Sequence, residues 1–177
     1  TTAPSPDVPS LFVGAVWDTL LDGSVRALIE RDLLGPFLQR QPWFQSDRPR
    51  SVRFQDWGVL QDGPEPIFLT IVEADLDDPS EERGATVTRQ YFVPLALRSA
   101  EHVQTIQDRV PHAVLAHVTG ARKGAIYDAS HDTRLAERLL AAGGDAAGIR
   151  TKHGGVHSAR SKANVDAPIT EPAALLP

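Results

Sequence analysis

Ile67-Phe-Leu-Thr-Ile-Val72 is a near-continuous apolar run enriched in β-branched residues. Such a run predicts a central β-strand, and the rest of the chain has to supply its partners and its cover. No segment approaches the roughly 20 apolar residues that a membrane span requires. With 177 residues, 41% of them hydrophobic, the chain amounts to one domain or one domain with a modest appendage. A domain of that size buries roughly 70% of its unfolded surface and needs no metal or disulfide staple.

On either side of this run the pattern is strand-like. Val52, Phe54, Asp56 and Gly58 alternate with Arg53, Gln55, Trp57 and Val59, as in a half-buried antiparallel strand. Gln61 to Pro66 is turn chemistry, with Asp62-Gly63 tolerating positive φ. Asp75 to Gly84 is acidic and loop-like, and Thr86 to Leu97 reads as a long third strand. Pro94 cannot donate to a ladder, which places that point at an edge or a bulge. Ala113–Val118 and Gly124–Tyr127 form a final hairpin.

Helices flank the strands. From Ser24, read as an N-cap, Val25, Leu28, Ile29, Leu33 and Phe37 recur at helical spacing, with Glu30 near the positive end. Gly35-Pro36 is expected to end or kink this helix, and a second short one runs from Pro36 to about Gln41. Ser99 to Arg109 is a helix or a loop. Ser130 caps a last helix with Leu135, Leu139 and Leu140 on its apolar side, stopped by Gly143-Gly144. The predicted organisation is a disordered arm (1–10), an α+β domain (11–149) and a flexible tail (150–177), basic and then Pro/Ala-rich.

Composition excludes several kinds of chemistry. Zero Cys removes thiol catalysis, thiolate metal sites and disulfides. The net charge of −5 argues against nucleic acid as a partner. The start lacks a basic n-region and an apolar h-region, so no signal peptide or membrane partner is expected, and cytoplasmic residence is the default. Zero Met fits a processed or trimmed N-terminus.

Motif tests are equally restrictive. Gly143-Gly144 and Gly154-Gly155 have no Gly-Lys-Ser/Thr behind them, so neither is a phosphate loop. His131-Asp132 alone cannot complete a metal shell, and Asp132 reads as a carboxylate in a first helical turn. His153 and His157 share a face only in a helix, which paired glycines oppose. No Gly-x-Ser-x-Gly occurs. The pairs Asp77-Asp78 and Glu81-Glu82 read as solvated loop. No catalytic residue, metal ligand or cofactor is assigned.

Several strings nevertheless look familiar, in order. They are Leu38-Gln-Arg-Gln-Pro-Trp-Phe44, Ser51-Val-Arg-Phe-Gln-Asp-Trp-Gly-Val-Leu60, Pro66-Ile-Phe-Leu-Thr-Ile-Val-Glu73, Tyr91-Phe-Val-Pro-Leu95 and Asp128-Ala-Ser-His-Asp132. Together they resemble the N-terminal cap of bacterial maltokinases and trehalose synthase–maltokinase fusions over residues 28–142. The chain departs from the family pattern at Pro42, where Arg is usual, and at Gln45-Ser-Asp47, where Gly-Lys follows. Ser158 to Val165 falls where the family's phosphate loop begins without matching it, so kinase activity is not carried over.

The resemblance implies a cystatin-like cap, a curled antiparallel sheet packed on an N-terminal helix, with a C-terminal helix. It implies a non-catalytic binding or docking unit in maltose, trehalose and α-glucan metabolism. The partner would be a kinase lobe or an α-glucan/trehalose enzyme. Trp43, Phe44, Trp57, Tyr91, His131 and Asp132 are the candidate ligand or docking surface, the aromatics having core packing as their plain alternative. The competing class is a small enzyme or sugar-binding protein, with a pocket inside the curled sheet lined by His117, Tyr127 and Asp128. A third reading is partner binding through an exposed sheet edge.

Overall fold

Strand β3 (Ile67–Asp77) stands inside the sheet, as its apolar run requires. The computed structural model describes residues 8–14, 16–46, 48–78, 84–143 and 148–158. Glu81-Glu82, Gly144, the segment 159–177 and residues 1–7 of the arm lie outside them. The remaining strands of the main sheet are β1 (Ser10–Val13), β2 (Ser51–Gln61), β4 (Thr86–Phe92), β5 (Leu95–Ser99), β6 (Val114–Gly120) and β7 (Gly124–Asp128). They follow the order β1-β6-β7-β5-β3-β2, with β4 also on β3, and the sheet curls into a half-barrel. The fold is α+β. Pairing β1–β6 is parallel, so the sheet is mixed rather than wholly antiparallel.

The predicted third strand is two strands. β4 pairs residues 71–77 of β3, and β5 pairs Ile67 and Phe68 on the same edge. Between them Val93 donates its N–H to the Thr70 carbonyl (3.0 Å), and the buried Thr70 hydroxyl donates back to the Val93 carbonyl. Pro94 then ends the β3–β4 ladder and offers its carbonyl to the Ala129 N–H (2.8 Å), where β7 takes up the outer edge of β5. The acidic segment read as loop from Asp75 begins later, because Asp75 to Asp77 complete β3 opposite β4.

Side chains alternate across this sheet between two cores. On the front, Phe68, Val72, Leu95, Leu97 and Ile126 meet Ile29, Leu33, Leu34, Phe37 and Leu38 of the long helix. On the back, Ile67, Leu69, Ala125 and Tyr127 meet Val103 of α3 (Ala100–Arg109) and Leu135 of α4 (Thr133–Ala142). Ser99 to Arg109 is thus helical after its first residue. Alternation in β2 changes phase at Gln55, where a bulge puts Trp57 on the same face as Phe54 instead of the opposite one.

The long helix corrects a second expectation. It runs as α1 (Gly23–Leu28), a π segment (Ile29–Leu33) and α2 (Leu34–Gln39), with Pro36 inside. Proline in an α-helix crowds the carbonyl four residues back and supplies no N–H. The wider π turn, in which Leu34 donates to the Ile29 carbonyl, accommodates both defects just ahead of Pro36. The N-cap is Asp22, not Ser24, and Glu30 accepts the Phe54 N–H of β2 (2.9 Å) rather than serving the helix end. Likewise α4 is capped by Asp132, which accepts the Arg134 N–H (3.0 Å), while Ser130 lies in the preceding 3₁₀ turn.

Beyond α4, β8 (Ile149–Arg150) and β9 (Gly155–Val156) pair as a small ribbon, and the boundary drawn at 149 passes through it. Thr151 bridges to Gly58 and Lys152 donates to the Trp57 carbonyl (2.8 Å), laying the ribbon along the outer edge of β2. A Cβ at Gly58 would stand 2.7 Å from the Arg150 carbonyl oxygen, so glycine permits this approach. No helix among the described residues is long and apolar enough to cross a membrane.

Gly124 is the tighter glycine, since a Cβ there would lie 2.0 Å from the Arg98 carbonyl oxygen and 2.8 Å from the Trp17 ring. Gly124→Ala should cost about 1–3 kcal/mol through strain at the β5–β7 contact. A urea unfolding midpoint equal to wild type would refute that packing.

Candidate functional site

Trp43, Phe44 and Tyr91 converge on one rim of the front core. Gln41 fixes the turn that delivers the first two: its buried amide donates to the carbonyls of Phe37 (2.9 Å) and His112 (2.8 Å). The Phe44 N–H closes on the Gln41 carbonyl (3.1 Å), so Phe44 turns inward, 7% exposed, and Trp43 stays outside, 43% exposed. Tyr91 of β4 packs against both, with ring centroids 5.6 Å from Trp43 and 5.5 Å from Phe44. Trp43 is therefore a surface aromatic already held by neighbours, and ordering it against a partner costs little side-chain entropy.

The other candidates lie elsewhere. Trp57 is buried in the front core with the Arg26 guanidinium 4.7 Å from its ring centroid and His153 edge-on at 6.2 Å. A groove of about 600 Å³ runs past it between Asp18, Asp22, Arg150 and Lys152. His131 is exposed and stands 6.0 Å from the His112 ring. Burial, and then the neighbouring His131, push the His112 imidazole below its ordinary pKa.

Asp132 belongs to a buried ionic knot rather than to a metal shell. Its carboxylate receives the Tyr127 hydroxyl and the Arg134 guanidinium (2.7 and 3.0 Å) in addition to capping α4. Burial opposes its ionisation, but these donors outweigh burial and hold its pKa below the ordinary value. Burial and the Asp132 carboxylate push the Tyr127 hydroxyl well up, so it remains a donor. No group of three or more His, Asp or Glu among the described residues is placed to hold a metal ion.

The proposed trio His117, Tyr127 and Asp128 does not share a pocket. Tyr127 is wholly buried on the back, Asp128 caps the Ser130 N–H (2.8 Å), and His117 lies against the Gln107 amide (3.2 Å). The front face, where such a pocket was expected, is filled by the fully buried Leu34, Phe37 and Leu38. His153 and His157 belong to the ribbon end and its exit, not to a helix.

Two carboxylates escaped the sequence reading. Asp56 accepts the Thr151 hydroxyl (2.6 Å) and the N–H groups of Trp57 and His153 (both 2.9 Å), which pins the ribbon to β2. Glu65, between two prolines, accepts the Ser99 N–H (2.9 Å) and hydroxyl (2.8 Å) and faces His102 Nδ1 (2.8 Å) at the start of α3. Arg134 also donates to the Glu65 carbonyl (3.1 Å), tying α4 to the same turn. Ser99 Oγ also lies 3.0 Å from His102 Nδ1, so the three side chains form one hydrogen-bonded cluster on the Glu65 carboxylate. The one local signal for Glu65 was Pro66, which forces the preceding residue to be extended.

The family model of the maltokinase N-terminal cap domain matches residues 37–132, more than half of the chain. The matched span runs from α2 to the cap of α4 and includes all six candidate residues. No curated protein and no solved structure matches the chain.

Glu65 generates a pH signature. Burial disfavours its charge, yet His102 and Ser99 overcome this and bring its pKa from 4.5 to about 2. The folded state prefers the ionised form, so the stabilisation is complete above pH 4.5 and is lost as pH falls towards 2. Glu65→Gln should be less stable than wild type near neutrality, the gap closing across that window. A gap in urea midpoints that does not change with pH would refute the role of its charge.

Proposed function

The chain belongs to the family of maltokinase N-terminal cap domains, and from that premise we propose that it works as a non-catalytic docking module. Its partner is the kinase lobe of a maltokinase or another enzyme of α-glucan and trehalose metabolism, in the cytoplasm. The observation that carries this reading is Trp43, an exposed tryptophan inside the matched span, braced by Phe44 and Tyr91. Large aromatics set in a well-packed surround are the side chains that most often dominate an interface. Phe44 and Tyr91 act as the brace, and Trp43 as the contact. Trp57 and Asp132 serve the fold that presents them.

The chemistry of three hydrogen-bonded carboxylates supports the same division. Asp56, Glu65 and Asp132 each have their oxygens engaged by donors of this chain, which leaves them poorly suited to acid–base work on a bound substrate. They hold the turns and helix ends in place, as a docking surface requires.

The test uses the full chain and a purified maltokinase catalytic part stripped of its own cap. Isothermal titration should detect a complex, and Trp43→Ala should weaken it about ten-fold or more, as removal of a central aromatic does. The reading is wrong if no complex forms with either class of enzyme. It is equally wrong if the chain alone phosphorylates maltose, glucose or an amino sugar with Mg-ATP above contaminant level.

A further inference from the structure

The bare side of β4 lies next to the Trp43 rim. In the β3–β4 ladder, Ala85 accepts from the Asp78 N–H (3.1 Å) and Val93 donates to Thr70 (3.0 Å). With the observed register, these bonds fix Val87, Arg89 and Tyr91 as the residues whose backbone groups face β3. The N–H and C=O groups of Thr86, Thr88, Gln90 and Phe92 therefore point outward, away from the sheet. Among the described residues no strand pairs with that side, since β7 pairs β5 and β6 and not β4.

Natural edges are usually blunted by lysine, proline, a bulge or shortness. β4 carries a single charge, Arg89, and no proline or bulge: it is seven residues long, continuous in register with β3, and reads Thr-Val-Thr-Arg-Gln-Tyr-Phe. Its side chains divide the labour. On the back, Thr88 and Gln90 are spent on Asp75 (2.7 Å) and Glu73 (3.1 Å). On the front, Arg89 and Tyr91 point the same way, and Tyr91 touches Trp43. Nearby Arg50 and Arg53 are paired with Asp77, Glu73 and Asp75, whereas Arg89, exposed, has no ion pair or hydrogen bond among the described residues.

We propose that the outer edge of β4 takes up an extended segment of the partner as an added strand, with a carboxylate opposite Arg89 and, two residues away, an apolar side chain against Tyr91 and Trp43. This rests on the docking reading above and specifies its geometry. Main-chain bonds to Thr86, Thr88, Gln90 and Phe92 supply affinity. The lone cation and the aromatic rim supply the register, because a one-residue slip carries both matching side chains to the wrong face.

The probe is again the maltokinase catalytic part without its cap. Thr88→Pro removes an outward N–H that β3 does not use, and it is compared with Thr88→Val, which loses the same hydroxyl but keeps the N–H. Binding should fall at least ten-fold from the Val to the Pro variant, both being checked for folding by circular dichroism. Arg89→Glu, a change at an exposed side chain, should also weaken binding at least ten-fold, which keeps the test open if the proline variant does not fold. Wild-type binding that survives Arg89→Glu, or that is equal in the Val and Pro variants, would overturn the edge site and leave docking intact. No binding by wild type to this part or to an enzyme of α-glucan or trehalose metabolism would overturn docking itself. Sedimentation showing a dimer of the chain that Thr88→Pro abolishes would put a second copy on the edge and overturn the partner strand.

Discussion

The exchange between Thr70 and Val93 is the joint on which the sheet turns. A proline inside a strand leaves one ladder bond unmade, and here the loss falls at Pro94, where β3 changes partners. Thr70 compensates with both its backbone carbonyl and its side-chain hydroxyl, each engaged with Val93. Below the joint, β5 carries the sheet on to β7, β6 and β1; above it, β4 has no strand on its outer side among the described residues. The sheet thus divides at the residue that has no N–H to give.

Hydrogen-bonded carboxylates hold the periphery to this frame. Asp56, Glu65 and Asp132 are placed at a bulged strand, a turn and a helix start, where backbone N–H groups lack partners of their own. A charge withdrawn from water is costly unless donors replace the lost hydration. Asp132 meets that cost with the nearby Tyr127 and Arg134, whereas the partly exposed Asp56 and Glu65 draw on distant parts of the chain, Thr151 and Ser99. The consequence is a rigid outline in which an exposed ring such as Trp43 keeps its position.

What could be read directly from the sequence was local. The apolar run at Ile67, the break at Pro94 and the hairpin closed before Gly124 depend on neighbours in sequence, and all three are present. The π turn was hidden because it is a response to Pro36 by residues ahead of it, made possible by a core that holds Leu34 and Phe37 in line. The bulge at Gln55 carries no composition of its own, so strict alternation puts Trp57 opposite Phe54 where the structure puts both on one face. Ser130 and Asp132 are both good capping residues, and only the position of Tyr127 and Arg134 decides between them. Of the candidate surface, Trp43, Phe44 and Tyr91 assemble, because the turn at Gln41 and β4 face the same core. Trp57, His131 and Asp132 belong to other neighbourhoods, separated by contacts that spacing does not encode.

The ribbon along β2 has a bearing on how the molecule is made. Asp56 and Trp57 are translated early, yet their partners Thr151, Lys152 and His153 come nearly a hundred residues later. On the ribosome, β2 can pair with β3 as soon as both have left the exit tunnel, but its outer side waits for almost the whole of the described chain. Until then the nascent sheet has open margins at both β2 and β4, and vectorial synthesis closes the first of them last.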